Sequence, residues 1–102
     1  MDANSAHFLG HVEKIHRLYE KPVWITEFAV ADWQARADRP NIHSEDAVCE
    51  FMEKVLPVLE RRDHVERYAW YSSPRDVHPL STSILFNKDG SLNKAGRTYA
   101  SI

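Results

Sequence analysis

A chain of 102 residues, 43% hydrophobic and 27% charged, has the composition of a globular domain and can bury one modest core. Its formal net charge of −2, with the Lys and Arg residues dispersed, provides no electrostatic footprint for nucleic acid, and no apolar run reaches the roughly 18 residues of a membrane-spanning helix. Met1-Asp2-Ala3-Asn4-Ser5 lacks the basic and apolar regions of a secretory leader, so the sequence assigns no compartment, and the single cysteine, Cys49, excludes an intrachain disulfide. One domain over 1–102 is expected.

In chain order, Phe8, Val12, Ile15 and Tyr19, with Leu9 and Leu18 beside them, recur at helical spacing and predict an amphipathic helix from about Ser5 to Glu20, ended by Lys21-Pro22. Its His7 and His11 sit four apart, as paired zinc ligands do. The intervening Phe8-Leu9-Gly10 lacks the Glu of the zinc-protease pattern and no third ligand is evident, so both are read as solvated, and no metal or cofactor is expected.

Lys21-Pro22-Val23-Trp24-Ile25-Thr26-Glu27-Phe28-Ala29 follows, short, β-branched and aromatic, and predicts a buried strand over Val23–Phe28. Strict alternation directs Val23, Ile25 and Glu27 to one side and Trp24, Thr26 and Phe28 to the other. Both faces are largely apolar, as in a parallel strand covered on both sides. Burying an unpaired charge costs several kcal/mol, so Glu27 is read either as salt-bridged or as kept for chemistry.

The connection over residues 30–43 is long for a βα loop and carries Asp32 and Trp33 close to the strand end. Trp33 is read as a binding residue or, with equal weight, as a plug under its own loop. Asp32 can bind a hydroxyl or pair with Arg36, and loop structure is the stronger expectation. Ser44 then caps a helix with Glu45 and Asp46 in its first turn and Val48, Phe51, Met52, Val55, Leu56 and Leu59 on one face. Cys49 is read as core filler, and Pro57 is expected to kink or shorten the last turn.

After the polar break Glu60-Arg61-Arg62-Asp63-His64, the run from Val65 to Ser72 predicts a second strand, with Tyr68 and Trp70 on one face and Trp70 level with Glu27. Two helix-to-strand steps imply parallel strands with a right-handed crossover. A polar loop leads to a small terminal ribbon, in which Ser83-Ile84-Leu85-Phe86 and Ser91-Leu92 flank an Asp89-Gly90 turn, and then to a last helix capped by Asn93 and running through Ala95, Tyr99 and Ile102. Ser72 and Ser73 near His78 lack the elbow motif of a nucleophilic serine.

Lys21 to Ala29 with Ala31-Asp32-Trp33, then Phe51-Met52-Glu53-Lys54-Val55-Leu56-Pro57, Val65-Glu66-Arg67-Tyr68-Ala69-Trp70-Tyr71-Ser72, and Asp89-Gly90-Ser91-Leu92 with Gly96-Arg97-Thr98-Tyr99-Ala100 together resemble a known family. They are similar to the C-terminal part of the glycosyl hydrolase catalytic core family of endo-β-1,3-glucanases. The resemblance implies an α/β fold, the C-terminal portion of a (β/α)8 TIM barrel from about helix 6 to helix 8. It also implies a retaining enzyme with Glu27 as nucleophile at the end of the seventh strand, Val65 to Ser72 as the eighth strand, and Trp70 beside the cleaved sugar.

Barrel active sites lie at the C-terminal strand ends, where Glu27, Asp32, Trp33 and Trp70 fall. Pyranose C–H faces stack on aromatic rings, and Asp32 and Tyr68 are the expected hydroxyl partners. The acid/base of the clan ends its fourth strand and has no counterpart here, because Glu66 begins its strand and Asp76 and Asp89 lie in loops. The expected function is thus a portion of a retaining β-glucan hydrolase, β-1,3-glucan first, with a non-catalytic carbohydrate-binding or interaction module as the alternative. A third reading makes Glu27 a buried ion-pair partner of Arg67 or Arg75. The expected partners are a β-glucan oligosaccharide and a second copy associating through exposed sheet edges.

Overall fold

The computed structural model describes residues 4–72 and 78–102, so Ser73, Arg75 and Asp76 lie outside the described residues. Its elements are α1 (Ser5–Tyr19), β1 (Val23–Phe28), α2 (Glu45–Arg61), β2 (Val65–Trp70), a short 3-10 turn (His78–Leu80) and α3 (Lys94–Ala100). β1 and β2 form a parallel two-stranded sheet, as two helix-to-strand steps require.

Local chemistry explains most boundaries. α1 stops where Glu20 turns left-handed, φ 52°, two residues before Pro22. Ser44 Oγ accepts the Ala47 N–H at 3.1 Å and opens α2, while Asn93 Oδ1 accepts the Gly96 N–H at 2.8 Å and opens α3. Of the kink or shortening expected at Pro57, the shortening is not met, since the helix runs on to Arg61. Val48, Phe51, Met52, Val55, Leu56 and Leu59 are all buried. At about 1.5–3 kcal/mol each, their burial outweighs the roughly 3 kcal/mol that an interior proline costs. Where the small terminal ribbon was expected, a single antiparallel bridge joins Phe86 to Leu92 around Gly90, whose φ of 87° suits glycine.

The core lies between the sheet and its helices. Val12 of α1, the apolar face of α2, Ala95 of α3, Leu85, and the strand residues Phe28, Val65 and Trp70 form one cluster, with Phe8, Val23, Ile25 and Tyr68 packed against it. Cys49 is buried there too. At the N-terminal end of the sheet, the Glu13 carboxylate bridges Arg62 Nε at 3.0 Å and His64 Nε2 at 3.3 Å, and the His64 ring stacks on His16 with centroids 4.0 Å apart. That contact ties α1 to the entry of β2.

Strict alternation fails in both strands. β2 spends two residues against one between the pairs Val23–Val65 and Trp24–Arg67, and β1 spends three against two between Ile25–Tyr68 and Phe28–Trp70. The second irregularity reverses the phase of β1: Thr26 and Glu27 are both exposed and Phe28 is buried. Val23, Ile25 and Phe28 therefore meet the helices, and Glu27 does not share their side as alternation had placed it. An extra residue in one strand re-aims the side chains that follow.

Among the described residues, nothing covers the other face of the sheet. Trp24 stands 60% exposed there, its indole N–H donating to Glu66 Oε2 at 2.8 Å and the Arg67 guanidinium 5.6 Å from its ring centroid. Parallel sheets are ordinarily covered on both faces, and a lone strand pair is marginal in water. The 102-residue chain is therefore expected to self-associate, with sedimentation velocity showing a mass that rises with concentration and Trp24→Glu shifting it back toward monomer. A single monomeric species from micromolar to millimolar concentration would contradict this.

Candidate active site

The C-terminal ends of β1 and β2 open on a cavity of about 670 Å³ lined by Glu27, Phe28, Ala29, Ala31, Trp33, Tyr71 and Leu80. Three segments build it: the end of β1, the loop that follows, and the residues after β2. Tyr71 continues the ladder one step past the strand, its N–H donating to Phe28 O at 2.8 Å. Glu27 is exposed and is the only carboxylate among the lining residues, and no hydrogen bond or ion pair joins its carboxylate to another described residue. A buried ion pair with Arg67 is not formed. An exposed carboxylate thus lines the same cavity as two exposed aromatic side chains, Trp33 and Tyr71.

The loops after the two strands are tied to each other. Ser83 Oγ donates to Val30 O at 2.5 Å, and Ser83 O accepts the Trp70 indole N–H at 2.9 Å. The Asp32 N–H donates to Pro79 O at 2.9 Å, and Asn41 Nδ2 donates to the same carbonyl at 3.3 Å. Ser72 Oγ accepts the Leu85 N–H at 3.1 Å, a structural use of the hydroxyl.

Of the residues singled out in the sequence, Glu27 and Trp33 reach the cavity and three do not. Trp33 is 79% exposed, so it does not fold under its loop. Trp70 is 8% exposed and packs against Phe28, Phe51 and Tyr99, with its indole N–H satisfied by Ser83 O. It faces the helices, which corrects the expectation that it lines the sugar site. Tyr68 shares that face as expected, but its hydroxyl donates to Glu60 Oε1 at 2.5 Å; burial, then Glu60, push the phenol well above its usual range.

Asp32 is 7% exposed, and both carboxylate oxygens are used inside its loop. It organises the loop with Arg39 at 3.4 Å, not Arg36, and it is not among the residues lining the cavity. The Ile42 N–H above all, with the Gln34 N–H and Arg39, holds its carboxyl below the usual range against the opposing effect of burial. This contribution is fully present above the ordinary Asp value of about 3.9 and is lost as pH falls through the lower folded value. Tyr71 was missed, although the two-residue step from Ala69 places it on the face opposite Trp70. His7 and His11 are exposed, and among the described residues no group of three metal-ligating side chains comes together.

Residues 2–99 match the model of the glycosyl hydrolase catalytic core family. The chain belongs to this family. A curated family relative in sequence, alkali-sensitive linkage protein 1 of Schizosaccharomyces pombe, is 32% identical over 85 residues, which are 81% of this chain and 15% of that protein. A GH128 endo-β-1,3-glucanase from Sorangium cellulosum is similar over 99% of this chain and 35% of its own, at 30% identity and a TM-score of 0.76. Another from Pseudomonas viridiflava is similar over 100% of this chain and 37% of its own, at 32% identity and a TM-score of 0.68. The α/β arrangement expected for the C-terminal portion of the barrel is the one observed, and the chain spans about a third of the structures it matches.

The two tryptophans near the strand ends should behave oppositely on truncation. Trp70→Ala removes a packed core ring and should lower stability by about 3–5 kcal/mol. Trp33→Ala, at an exposed site, should stay within about 0.5 kcal/mol. Denaturant melts of the two variants check this, and a Trp70→Ala variant as stable as the parent would place that ring outside the core.

Proposed function

We propose that this chain supplies the nucleophile and one aromatic wall of a retaining β-glucan hydrolase site, with β-1,3-linked glucan as the ligand. The observation that carries the reading is the exposed Glu27 lining one cavity with Trp33 and Tyr71, at the C-terminal strand ends of a glycosyl hydrolase fold. Two aromatic faces suit the C–H faces of pyranose rings, and a carboxylate in the same cavity suits attack on the anomeric carbon. Tyr71 takes the place that the sequence had given to Trp70.

Retaining hydrolysis uses two carboxyl groups about 5–5.5 Å apart, one attacking and the other protonating the departing oxygen. No second carboxylate lines this cavity among the described residues. General acid catalysis contributes about 10²–10⁴-fold, so the 102-residue chain should bind β-1,3-gluco-oligosaccharides without cleaving the polymer. That missing carboxyl group also favours a second reading, in which the chain acts as a carbohydrate-binding module.

Both readings predict that β-1,3-gluco-oligosaccharides change the tryptophan fluorescence of the folded chain. Trp33→Ala and Tyr71→Ala should each weaken binding about tenfold, equivalent to about 1.4 kcal/mol. Glu27→Gln should bind with affinity within a few-fold of the parent. A folded sample that shows no response at millimolar oligosaccharide would refute the glucan assignment, and steady polymer cleavage by this chain alone would refute the carboxylate count.

A further inference from the structure

Trp33 is the most exposed large apolar side chain among the described residues, and burial does nothing to hold it in place. A tryptophan on a freely moving loop loses side-chain and backbone freedom when a ligand orders it, about 0.5–1.5 kcal/mol for the side chain alone. Here the residues on either side are already fixed. Asp32 Oδ1 accepts the Gln34 N–H at 3.1 Å, Oδ2 accepts the Ile42 N–H at 3.1 Å, and Arg39 Nη1 lies 3.4 Å from Oδ2. One carboxylate thus ties the chain immediately after Trp33 to a point ten residues beyond Asp32.

The same residue anchors this loop to its neighbour. The Asp32 N–H donates to Pro79 O and the Ala35 N–H donates to Asp32 O, so the backbone on both sides of the indole is hydrogen-bonded. Pro79 precedes Leu80, which lines the same cavity as Trp33. A charge buried to this degree persists only when its partners are in place, which makes the arrangement one of few alternatives for the loop.

Resting on the reading of this cavity as a glucan site, we propose that Asp32 is a positioning residue for substrate: its carboxylate holds Trp33 pre-oriented at the rim, so that a β-1,3-glucan ring meets a fixed indole beside Glu27. Asp32 touches no sugar itself. It raises affinity by removing an ordering cost from the binding step.

The test compares the parent chain, Asp32→Ala, Trp33→Ala and the double variant, with Asp32→Asn carrying the comparison should Asp32→Ala fail to fold. In the ligand-free protein, the heteronuclear NOE of the Trp33 indole N–H should fall on Asp32 substitution while those of Trp24 and Trp70 hold. Against a β-1,3-linked glucose hexamer, Asp32→Ala should weaken binding about tenfold in the parent and less than twofold further in the Trp33→Ala background.

An unchanged Trp33 indole signal in a folded Asp32 variant overturns the proposal whether or not glucan binds. Additive losses in the double variant overturn it as well, since Asp32 would then act without Trp33. A parent chain that binds no hexamer sinks the glucan reading instead, and the role of Asp32 in fixing the indole is then decided by the ligand-free signal alone.

Discussion

β1 carries one more residue than β2 between the pairs Ile25–Tyr68 and Phe28–Trp70, and the placement of Glu27 depends on it. With regular pleating, Phe28 would leave the helix side and Glu27 would be pressed against α1 and α2, a position hostile to a charge. The extra residue lets Phe28 stack on Phe8 at 5.2 Å and meet Trp70 edge-on at 5.2 Å, while the neighbouring carboxylate stays in water. Core and site are thereby separated within two consecutive residues.

The aromatic cluster and the loops then reinforce each other. Phe28 and Trp70 anchor the strand ends in the core; the Trp70 indole fixes Ser83, and Ser83 fixes Val30, from which the Asp32 loop departs. A residue of the hydrophobic core thus positions the site through two hydrogen bonds. The opposite end of the sheet, closed by Glu13, Arg62 and the stacked His16 and His64, serves attachment of the helices and has no part in the cavity. This division of ends is the one that parallel α/β barrels follow.

Elements with strong local signals were legible in the sequence. The bounds of β1, the Ser44 and Asn93 caps, the apolar face of α2 and the partnership of the two strands follow from propensity, capping and period. Glu27 stood out as the residue to explain, because a lone acid closing an apolar strand is costly to bury unpaired. Side-chain facing past the irregular pair was not legible, since alternation carries no signal of an inserted residue, and it grouped Glu27 with Val23 and Ile25 where Phe28 takes that side. Tyr68 and Trp70 share a face as read, and it is the face that packs on the helices. Asp32 was read correctly as a loop organiser but with Arg36 as partner. That choice assumed helical spacing, whereas the loop doubles back to bring Arg39 and Ile42 to the carboxylate.

The central claim is that Glu27 is a nucleophile presented to a sugar. A 2-deoxy-2-fluoro-β-glucoside with a dinitrophenolate leaving group isolates it, since that group departs without a proton and only attack by the carboxylate is required. The account predicts a covalent adduct in which a Glu27 oxygen replaces dinitrophenolate at the anomeric carbon, located by peptide mass mapping on Glu27 and absent from Glu27→Gln. An adduct on another residue, or none in a sample that binds β-1,3-gluco-oligosaccharide, would contradict it.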